Sequence, residues 1–571
     1  MKILQLDVNN ITYTPVKAEA KIHDDVEKKE VSVDEALVLL ISVENGDTLD
    51  TAKKAADEAR SFMQKQQRKK LVIYPYAHLS SNLAPLEEAL KIINYLTENP
   101  PDGIEVFRAP FGWNKKLSLD IKGHPLAEQS KSYLAAGQEE KPQKKARPAS
   151  VNTSIVKKSN WSGLPETDHR TIGEKLDLYS FQEVSPGMVY WHHNGFVIYK
   201  EIVRFIREKL AEYNYNEVST PILANTALWH VSGHIDHYRD EMFVFNSENE
   251  ELGLKPMGCP SVMLIFNSRK WSYRDLPYRA AEFDMVHRNE VSGALTGLFR
   301  VRQITQDDSH TFVREDQIEE EMTSLLRLMT EIYSIFGVRF ILKLSTMPDS
   351  HLGDEALWEK ATNSLRSALK KNGLDYGIKE KDGAFYGPKI DGQILDSMGR
   401  EWQCLTIQLD YQLPRRFNLQ YVGEDGKEQP PVVIHKTIIG SLERFIGILT
   451  EHYQGKFPTW LAPTQVKVIS ISEQTAKYAE KVYAALKENK IRAELDSGDK
   501  TMQNKLREAI TQKVPYIVIL GEKEESTKTI TVRCRSEGQD KEAKQKFGVR
   551  LEDFIASLNE EIEGRSNKLM Y

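Results

Sequence analysis

The chain has 571 residues, of which 40% are hydrophobic and 28% charged, with a formal net charge of −6. This length exceeds what one hydrophobic core supports, so we expect three or four domains. The absence of an 18-residue apolar run argues against a membrane span, the early polar turn of the N-terminus argues against a secretory signal, and three cysteines argue against a disulfide framework. We therefore expect a cytoplasmic protein, and the net charge does not exclude nucleic-acid binding through a local basic patch.

The first segment alternates strand and helix patterns. Buried strands are predicted for "KILQLDV", "ALVLLISV" and "KLVIYPYAHLS", and helices for "TLDTAKKAADEARSFMQKQ" and "PLEEALKIINYLTEN". This pattern predicts an α/β domain over residues 1–135. Residues 136–165 are rich in lysine, proline and serine and lack apolar periodicity, which predicts a flexible linker.

The largest segment, residues 166–460, mixes a long amphipathic helix with strands that carry polar side chains. The helix begins in "GFVIYKEIVRFIREKLAEY", and strands are predicted for "ITQDDSHTFV", "WQCLTIQLDY" and "VVIHKTI". A helix is predicted to begin near Gly440 in "IGSLERFIGILTEHY". We expect an α+β domain with antiparallel strands.

The last segment, residues 461–571, returns to alternation. Strands are predicted for "QVKVISI", "RAELDS", "PYIVILG" and "TITVRCR", and helices for "TAKYAEKVYAALKENK" and "NKLREAITQKV". This order predicts a small α/β domain with a mixed or parallel sheet. The fold class expected for the whole chain is therefore a multidomain combination of α+β and α/β.

Three residues in different segments have side chains that suit a metal ion. Cys259, His310 and His435 are ligand types that zinc accepts, and three protein ligands leave a fourth position open for a substrate. Their separations of 51 and 125 residues match no local zinc motif, so spacing alone favours an ordinary buried cysteine and hydrogen-bonded histidines over a metal site. The spacing of His230 and His234 in "HVSGHIDHY" also resembles a metal pair, but Gly233 interrupts it, and we predict loop histidines there.

A hairpin with converging arginines is predicted around "VHRNEVSGALTGLFRVRQITQDD". Arg288 and Glu290 are expected on one face of a strand, and Arg300 follows the glycine-containing loop. Arg444, on the predicted helix after Gly440, could approach from another direction. Guanidinium groups are fork-shaped, permanently charged donors that suit a polyphosphate, although surface ion pairs would give the same pattern.

These motifs resemble those of class II aminoacyl-tRNA synthetases. "YNEVSTP", "HRNE…TQDDSH" and "IGSLERFIGILTE" are similar to motifs 1, 2 and 3 of that class, and "LKPMGCP", "FYGPKI", "YVGEDG" and "VPYIVILGEKE" follow the order of the threonyl-tRNA synthetase family. The first 130 residues, with "YPYAHLSSNLA" and "APFGWNKKLSLDIKGHPLAE", resemble instead the archaeal N-terminal editing domain of that family, which has a D-aminoacyl-tRNA-deacylase-like fold. The resemblance implies an editing domain, a class II catalytic domain with an antiparallel sheet, and a C-terminal anticodon-binding domain.

The resemblance implies an ATP-dependent ligation of L-threonine to tRNA(Thr) through threonyl-adenylate, in a homodimer. It implies that Cys259, His310 and His435 hold one Zn²⁺ per subunit, with magnesium bound with ATP. The residues that it places around threonine are Met257, Gln306, Asp308, Tyr386, Gln408 and Ser441. Those that it assigns to ATP and catalysis are Arg288, Glu290, Arg300, Lys389, Gln403 and Arg444.

The resemblance also implies proofreading and tRNA recognition. His78, Lys115 and Glu128 match positions that bind or process a seryl ester, and Glu524 and Arg533 match positions that read the anticodon. A site that selects threonine discriminates against serine by only one methyl group, worth about 1–3 kcal/mol, so a second, hydrolytic site is expected on physical grounds as well.

The chain departs from the family pattern at several of these places. Ser261 and Val262 replace the usual residues after the zinc cysteine, Ile304 stands where an aromatic residue normally packs on adenine, and Asn114 replaces a common tyrosine. Such departures keep two alternatives open. One is a synthetase-like tRNA-binding or regulatory paralogue with impaired activation, and the other is a ligase for serine or proline.

Overall fold

The structure, a computed structural model, describes residues 1–66, 68–80, 82–100, 103–124, 126–133, 161, 163–248, 250–396, 399–536 and 544–571. The chain divides into two compact units, residues 1–151 and residues 152–571. Most of the predicted linker, residues 136–165, lies outside the described residues. No helix among the described residues is long and apolar enough to cross a membrane.

The first unit is an α/β fold with one mixed sheet. Its elements are β1 (Lys2–Ala18), β2 (Val31–Ser42), α1 (Leu49–Gln66), β3 (Lys70–Pro75), α2 (Leu86–Glu98), β4 (Glu105–Arg108), β5 (Trp113–Ile121) and β6 (Glu128–Ser132). The strand order is β4-β3-β2-β1-β5, and β6 also pairs with β1. The β2–β3 and β3–β4 pairs are parallel, and the pairs made by β1 are antiparallel.

Strand β2 is buried on both faces, which explains its continuous apolar sequence. Leu37, Leu39 and Ile41 pack in the core that contains α1 and α2, and the alternate residues Val38 and Leu40 pack in a second core on the other face. The predicted strands and helices of this segment are confirmed.

The second unit begins with the elements of an α+β fold. They are α3 (His169–Lys175), β7 (Tyr179–Phe181), β8 (Val189–Trp191), α4 (His193–Glu212), β9 (Asn216–Glu217), β10 (Leu223–Asn225), α5 (Ala227–Ser232), α6 (His234–Tyr238), β11 (Val244–Ser247), β12 (Glu250–Leu254), α7 (Cys259–Asn267), β13 (Tyr278–His287), β14 (Gln303–Val313), α8 (Ile318–Phe336), β15 (Arg339–Ser345), α9 (Glu355–Lys371), β16 (Tyr376–Lys379), β17 (Lys389–Leu395), β18 (Glu401–Asp410), α10 (Leu413–Arg416), β19 (Tyr421–Val422), β20 (Glu428–Gln429), β21 (Val432–Thr437) and α11 (Leu442–His452).

An eight-stranded sheet organises this part, in the order β16-β15-β17-β18-β21-β14-β13-β9. All its pairs are antiparallel except β9–β13 and β15–β16. Helices α4, α8 and α11 contribute to the large core against it. Helix α8 shows why they form: Leu325, Met329 and Ile332 repeat at helical spacing on its buried side, and Gly337 ends it with a φ of 65°.

The rest of the second unit is a smaller α/β fold. Its elements are β22 (Val466–Ser470), α12 (Ala476–Glu488), β23 (Ala493–Asp496), α13 (Met502–Thr511), β24 (Tyr516–Leu520), α14 (Glu522–Thr527), β25 (Ile530–Cys534), β26 (Gln545–Val549) and α15 (Leu551–Glu563). The sheet order is β23-β22-β24-β25-β26, with parallel pairs first and antiparallel pairs last. The predicted mixed sheet is confirmed.

Two local predictions are wrong. His230 lies in α5 and His234 begins α6, so neither is a loop histidine; Gly233, with a φ of 82°, separates the two short helices. Arg288 and Glu290 lie beyond the end of β13 at His287, not within a strand. The backbone leaves the sheet there, since Asn289 N–H donates to the carbonyl of Glu241.

Candidate functional site

Cys259, His310 and His435 converge although they are distant in sequence. Strands β14 and β21 are neighbours in which His310 and His435 are register partners, and Cys259 is the first residue of α7. One ligand atom from each of the three lies within 4.8 Å of the other two, and all three residues are buried. The arrangement is a possible metal site of one thiol and two imidazoles, a donor set that suits zinc.

The hydrogen bond of His435 prepares it as a ligand. Its Nε2 lies 2.9 Å from the Asp410 carboxylate, which can only accept when ionised, so Nε2 carries the proton. Its Nδ1 is buried without a hydrogen-bond partner and has a free lone pair. A carboxylate behind a histidine is the usual support of a metal-bound imidazole.

Burial shifts the other two ligands toward their neutral forms. It raises the pKa of the Cys259 thiol, with help from the Asp308 and Asp410 carboxylates, and lowers the pKa of His310. Neutral imidazole is the form that binds metal, and a cation among these atoms would favour the Cys259 thiolate. The three residues therefore fit a zinc ion.

The adjacent acids Asp307 and Asp308 lie on opposite faces of β14. Asp307 is buried, and its carboxylate accepts N–H groups from Ile438, Ile439 and Gly440 at 2.8, 3.1 and 3.0 Å. Burial raises the pKa of Asp307 to about 6, while Lys436 and these N–H groups oppose the rise. Asp307 thus fixes the turn between β21 and α11.

Asp308 shares the face of His310 and is half-buried. A β-carbon at Gly258, next to Cys259, would lie 3.7 Å from its carboxylate. Burial raises the pKa of Asp308 well above its usual range, and the carboxylates of Asp284 and Asp307 raise it further. Such a carboxylate is positioned to take a cationic or hydrogen-bonding ligand beside the metal position.

The other residues predicted around threonine surround the same place. Gln408 is the register partner of His435, and its amide donates to the Gly387 carbonyl at 3.0 Å. The Tyr386 ring centroid lies 5.4 Å from that of His435. Gln306 bridges to Ser441, which caps α11, and Met257 packs against the cluster that contains Cys259.

The predicted arginines meet at the loop between β13 and β14. Arg300 pairs with Glu290 at 2.9 Å, and Arg288 N–H donates to the carbonyl of Arg302 at 2.9 Å. Arg444 reaches the same loop from α11 and donates to the Phe299 carbonyl at 3.0 Å. Burial lowers the pKa of Arg444, and the nearby guanidinium groups of Arg288 and Arg300 lower it further, so three cationic groups lie close together at this loop.

Lys389 and Gln403 are joined by a residue that the sequence did not indicate. Asp391 is buried, 2.9 Å from Lys389 Nζ, and accepts the Gln403 amide at 2.6 Å and the Ser345 hydroxyl at 2.8 Å. Asp391 therefore orients both side chains. The sequence could have indicated only that Asp391 shares a face of β17 with Lys389, two positions earlier. It could not indicate that β18, which carries Gln403, is the neighbouring strand.

In the first unit, two of the three predicted editing residues line one cavity of about 400 Å³. Lys115 Nζ donates to the carbonyls of Pro110 and Trp113 at 2.9 and 3.0 Å, and burial lowers the pKa of Lys115 to about 8. His78 lies on a short 3-10 turn at the cavity wall. Glu128 is exposed on β6 and does not line the cavity.

In the C-terminal α/β fold, Glu524 and Arg533 lie on touching elements, α14 and β25. Glu524 accepts the Thr531 hydroxyl at 2.8 Å and the Gly521 N–H at 3.0 Å. Burial raises its pKa, but these hydrogen bonds outweigh burial and hold the pKa below the usual value. Thr531 and Arg533 are two positions apart on β25 and therefore point to the same face of the strand. Because Thr531 contacts Glu524, Arg533 lies on the side of the strand that faces Glu524.

Comparison with known proteins matches three family models to the three parts of the chain. Residues 1–133 match the archaea-specific editing domain of threonyl-tRNA synthetase, residues 243–453 the class II tRNA synthetase core domain (G, H, P, S and T), and residues 465–561 an anticodon binding domain. The three parts of the chain thus have the domain types of class II aminoacyl-tRNA synthetases, with an N-terminal editing domain.

Within this class of proteins, the chain is most informatively compared with individual threonyl-tRNA synthetases. The threonine–tRNA ligases of Clostridium tetani and of Clostridium botulinum strain Langeland are 48% and 47% identical over 398 and 400 residues, 70% of this chain in each case. A solved RNA binding domain of threonyl-tRNA synthetase from Cryptosporidium parvum is 42% identical, with a TM-score of 0.66, over 69% of this chain and 98% of that chain. A putative threonyl-tRNA synthetase from Aeropyrum pernix is 28% identical, with a TM-score of 0.61, over 70% and 96%.

The chain belongs to the threonyl-tRNA synthetase family. It spans about 61% of the length of the curated relative from Clostridium tetani and 62% of that from Clostridium botulinum. The predicted fold classes of the three parts are confirmed.

Proposed function

We propose that this protein is a threonine–tRNA ligase that proofreads its product. The observation that carries the proposal is the convergence of Cys259, His310 and His435 in the same unit in which Arg288 and Arg300, from the loop between β13 and β14, lie close to Arg444 of α11. A thiol-imidazole metal site beside an anion site suits an amino acid joined to a nucleotide.

Threonine selection would depend on a metal and on Asp308. Cys259, His310 and His435 would hold one Zn²⁺, which when bound supplies an open position for the amino and hydroxyl groups of threonine. Asp308 would accept one of these groups, with Met257, Gln306, Tyr386, Gln408 and Ser441 shaping the pocket. Valine would be rejected because its methyl group cannot replace the hydroxyl and leaves polar partners unsatisfied.

Activation would be performed by positioning and electrostatics. Arg288 would hold the α-phosphate as the threonine carboxylate attacks it and pyrophosphate leaves, and Arg300 and Arg444 would hold the β- and γ-phosphates. Glu290 would read the adenine amino group, and Lys389 and Gln403, both fixed by Asp391, would support the substrate. Magnesium bound with ATP would neutralise phosphate charge.

Editing would take place in the first unit. Serine keeps the hydroxyl and lacks one methyl group, a difference worth about 1–3 kcal/mol, so mischarging needs a second check. The cavity lined by His78 and Lys115 supports hydrolysis of Ser-tRNA(Thr) there. Glu128 keeps its assignment by resemblance alone.

The remaining partners follow from the family. Glu524 and Arg533 would read unpaired anticodon bases of tRNA(Thr), since proteins usually read RNA sequence in loops. The similarity of "YNEVSTP" to motif 1 supports a homodimer, and the three buried cysteines, outside any disulfide, support a cytoplasmic location.

ATP–pyrophosphate exchange with threonine, serine and proline tests the proposal. We expect exchange with threonine, weaker exchange with serine and none with proline. Exchange only with serine or proline, or with none of the three, would contradict it, and the last result would favour a regulatory paralogue.

A further inference from the structure

Among the described residues, one other cluster has the composition of a metal site. Ligand atoms of Asp168, His169 and Glu451 lie within 4.8 Å of one another. The cluster joins α3 to α11, in the same unit as the loop between β13 and β14 that carries Arg288 and Arg300.

The atoms of this cluster are already used in hydrogen bonds. His169 Nδ1 lies 2.8 Å from the Glu451 carboxylate, and its Nε2 accepts the Leu298 N–H at 3.1 Å. Because a backbone N–H can only donate, Nε2 has no proton and Nδ1 carries it. One tautomer of His169 satisfies both contacts.

Both carboxylates are also paired with arginines. Asp168 accepts Arg170 Nε and Nη2 at 2.9 and 2.8 Å, and Glu451 accepts Arg400 Nη2 at 2.6 Å. A cation would have to displace two guanidinium groups and the Leu298 N–H. The cluster is therefore a hydrogen-bonded support and not a second metal site.

His169 contacts the segment Leu298–Phe299, which lies directly before Arg300 and is contacted by Arg444. The Phe299 ring lies against the imidazole, with centroids 4.0 Å apart, and the Phe299 carbonyl accepts Arg444 Nε. Arg300 follows directly. Gly297, with a φ of 50°, lets the loop approach so closely that a β-carbon there would overlap His169 Nε2.

We propose that His169 is a positioning residue for ATP: its neutral imidazole fixes the backbone of Leu298 and Phe299, which in turn sets Arg300 and Arg444 for the phosphates. The inference rests on the proposed ATP-dependent activation. It predicts a selective effect, because the hydrogen bonds of the His169 ring run to Glu451 and to the Leu298 N–H and not to the residues proposed to hold threonine.

A pair of variants separates the two contacts of the ring. In His169→Asn the amide can still donate to Glu451 but is too short to accept the Leu298 N–H, whereas in His169→Gln the longer amide can accept it. Steady-state ATP–pyrophosphate exchange should give a KM for ATP raised about tenfold or more in His169→Asn and less in His169→Gln, since a buried N–H is left unpaired only in the first. The KM for threonine should stay within about twofold of wild type.

A matched control is Thr450→Val, which removes a buried hydroxyl from the residue before Glu451. It should leave the ratio of the two KM values unchanged. Gly297→Ala provides a second variant that displaces the ring without removing it, and it should raise the KM for ATP selectively. If His169→Asn does not fold, the KM for ATP of Gly297→Ala tests the positioning role instead.

Three outcomes of these measurements would overturn the positioning role of His169. Wild-type KM for ATP in His169→Asn, or in Gly297→Ala where the first variant is unfolded, would overturn the inference, and so would parallel rises in both KM values or the same change in Thr450→Val. If wild-type protein itself shows no exchange, the proposed function fails first, which distinguishes that outcome from failure of the positioning role.

Discussion

Asp307 and Asp308 are adjacent in sequence but point to opposite faces of β14, where they make different contacts. The Asp307 carboxylate accepts three consecutive backbone N–H groups at the start of the turn into α11, whereas Asp308 faces Cys259 and His310, the proposed metal ligands. Because β14 alternates its side chains, one strand anchors the turn before Arg444 and lines the pocket that we propose for threonine.

This division predicts different effects for two matched variants. Asp307→Asn exchanges one of the two acceptor oxygens for an NH2 group that cannot accept, so we expect the free energy of unfolding to fall by about 2 kcal/mol. Asp308→Asn should not lower that free energy, because burial raises the pKa of the Asp308 carboxyl and its charge therefore costs stability in the folded chain. The same variant should raise the KM for threonine about 100-fold. Denaturant unfolding and exchange kinetics measure both; equal loss of stability in the two variants would contradict the assignment.

Cys259→Ser should release the metal and abolish threonine activation. A serine hydroxyl is a poor ligand for zinc compared with a thiolate. Metal analysis of the purified protein with the exchange assay checks this. Cys534→Ser is the control, since that buried cysteine lies in β25 and donates to the Tyr571 carbonyl. Normal threonine turnover by metal-free Cys259→Ser would refute the role of the site.

Loss of Lys115 should impair proofreading but not ligation. In Lys115→Met we expect threonylation at the wild-type rate with accumulation of Ser-tRNA(Thr), as also in a variant that lacks residues 1–135. Lys116→Met, at the exposed neighbouring position of β5, should behave as wild type. Charging assays with serine and purified tRNA(Thr) provide the measurement. Equal Ser-tRNA levels in Lys115→Met and wild type would remove Lys115 from the editing site.

The half-buried Lys115 should also make stability depend on pH. Its pKa falls from 10.5 to about 8 in the folded chain, so between these values the unfolded state binds more protons and stability rises with pH. Relative to Lys115→Met, which lacks this group, the wild-type Tm should therefore increase from pH 7.5 to 9.5. Scanning calorimetry of both proteins, with Lys116→Met as the control, tests this; a constant difference would mean that Lys115 is not buried as described.

The secondary structure was largely predictable because apolar periodicity reports directly on burial. Strand β14 and helix α11 appear where the sequence indicates them, and α11 begins at Leu442 with Ser441 as its cap, close to the predicted Gly440. The end of β13 was missed because a hydrogen bond from Asn289 to Glu241, a residue 48 positions earlier, draws the chain away from the sheet.

The site was predictable only through the family resemblance. Spacing alone could not bring His310 beside His435, since their contact depends on the pairing of β14 with β21. For the same reason Asp391 and Asp410 were overlooked: each supports its partner across neighbouring strands, and strand order is a property of the whole sheet.

X-ray absorption at the zinc edge reports on the metal that Cys259, His310 and His435 are proposed to hold. For the full-length protein we predict one sulfur at about 2.3 Å and two nitrogens at about 2.0–2.1 Å, with threonine adding nitrogen or oxygen ligands to the remaining position. Protein purified without zinc after growth in zinc-replete medium, or a zinc environment that saturating threonine leaves unchanged, would contradict the account.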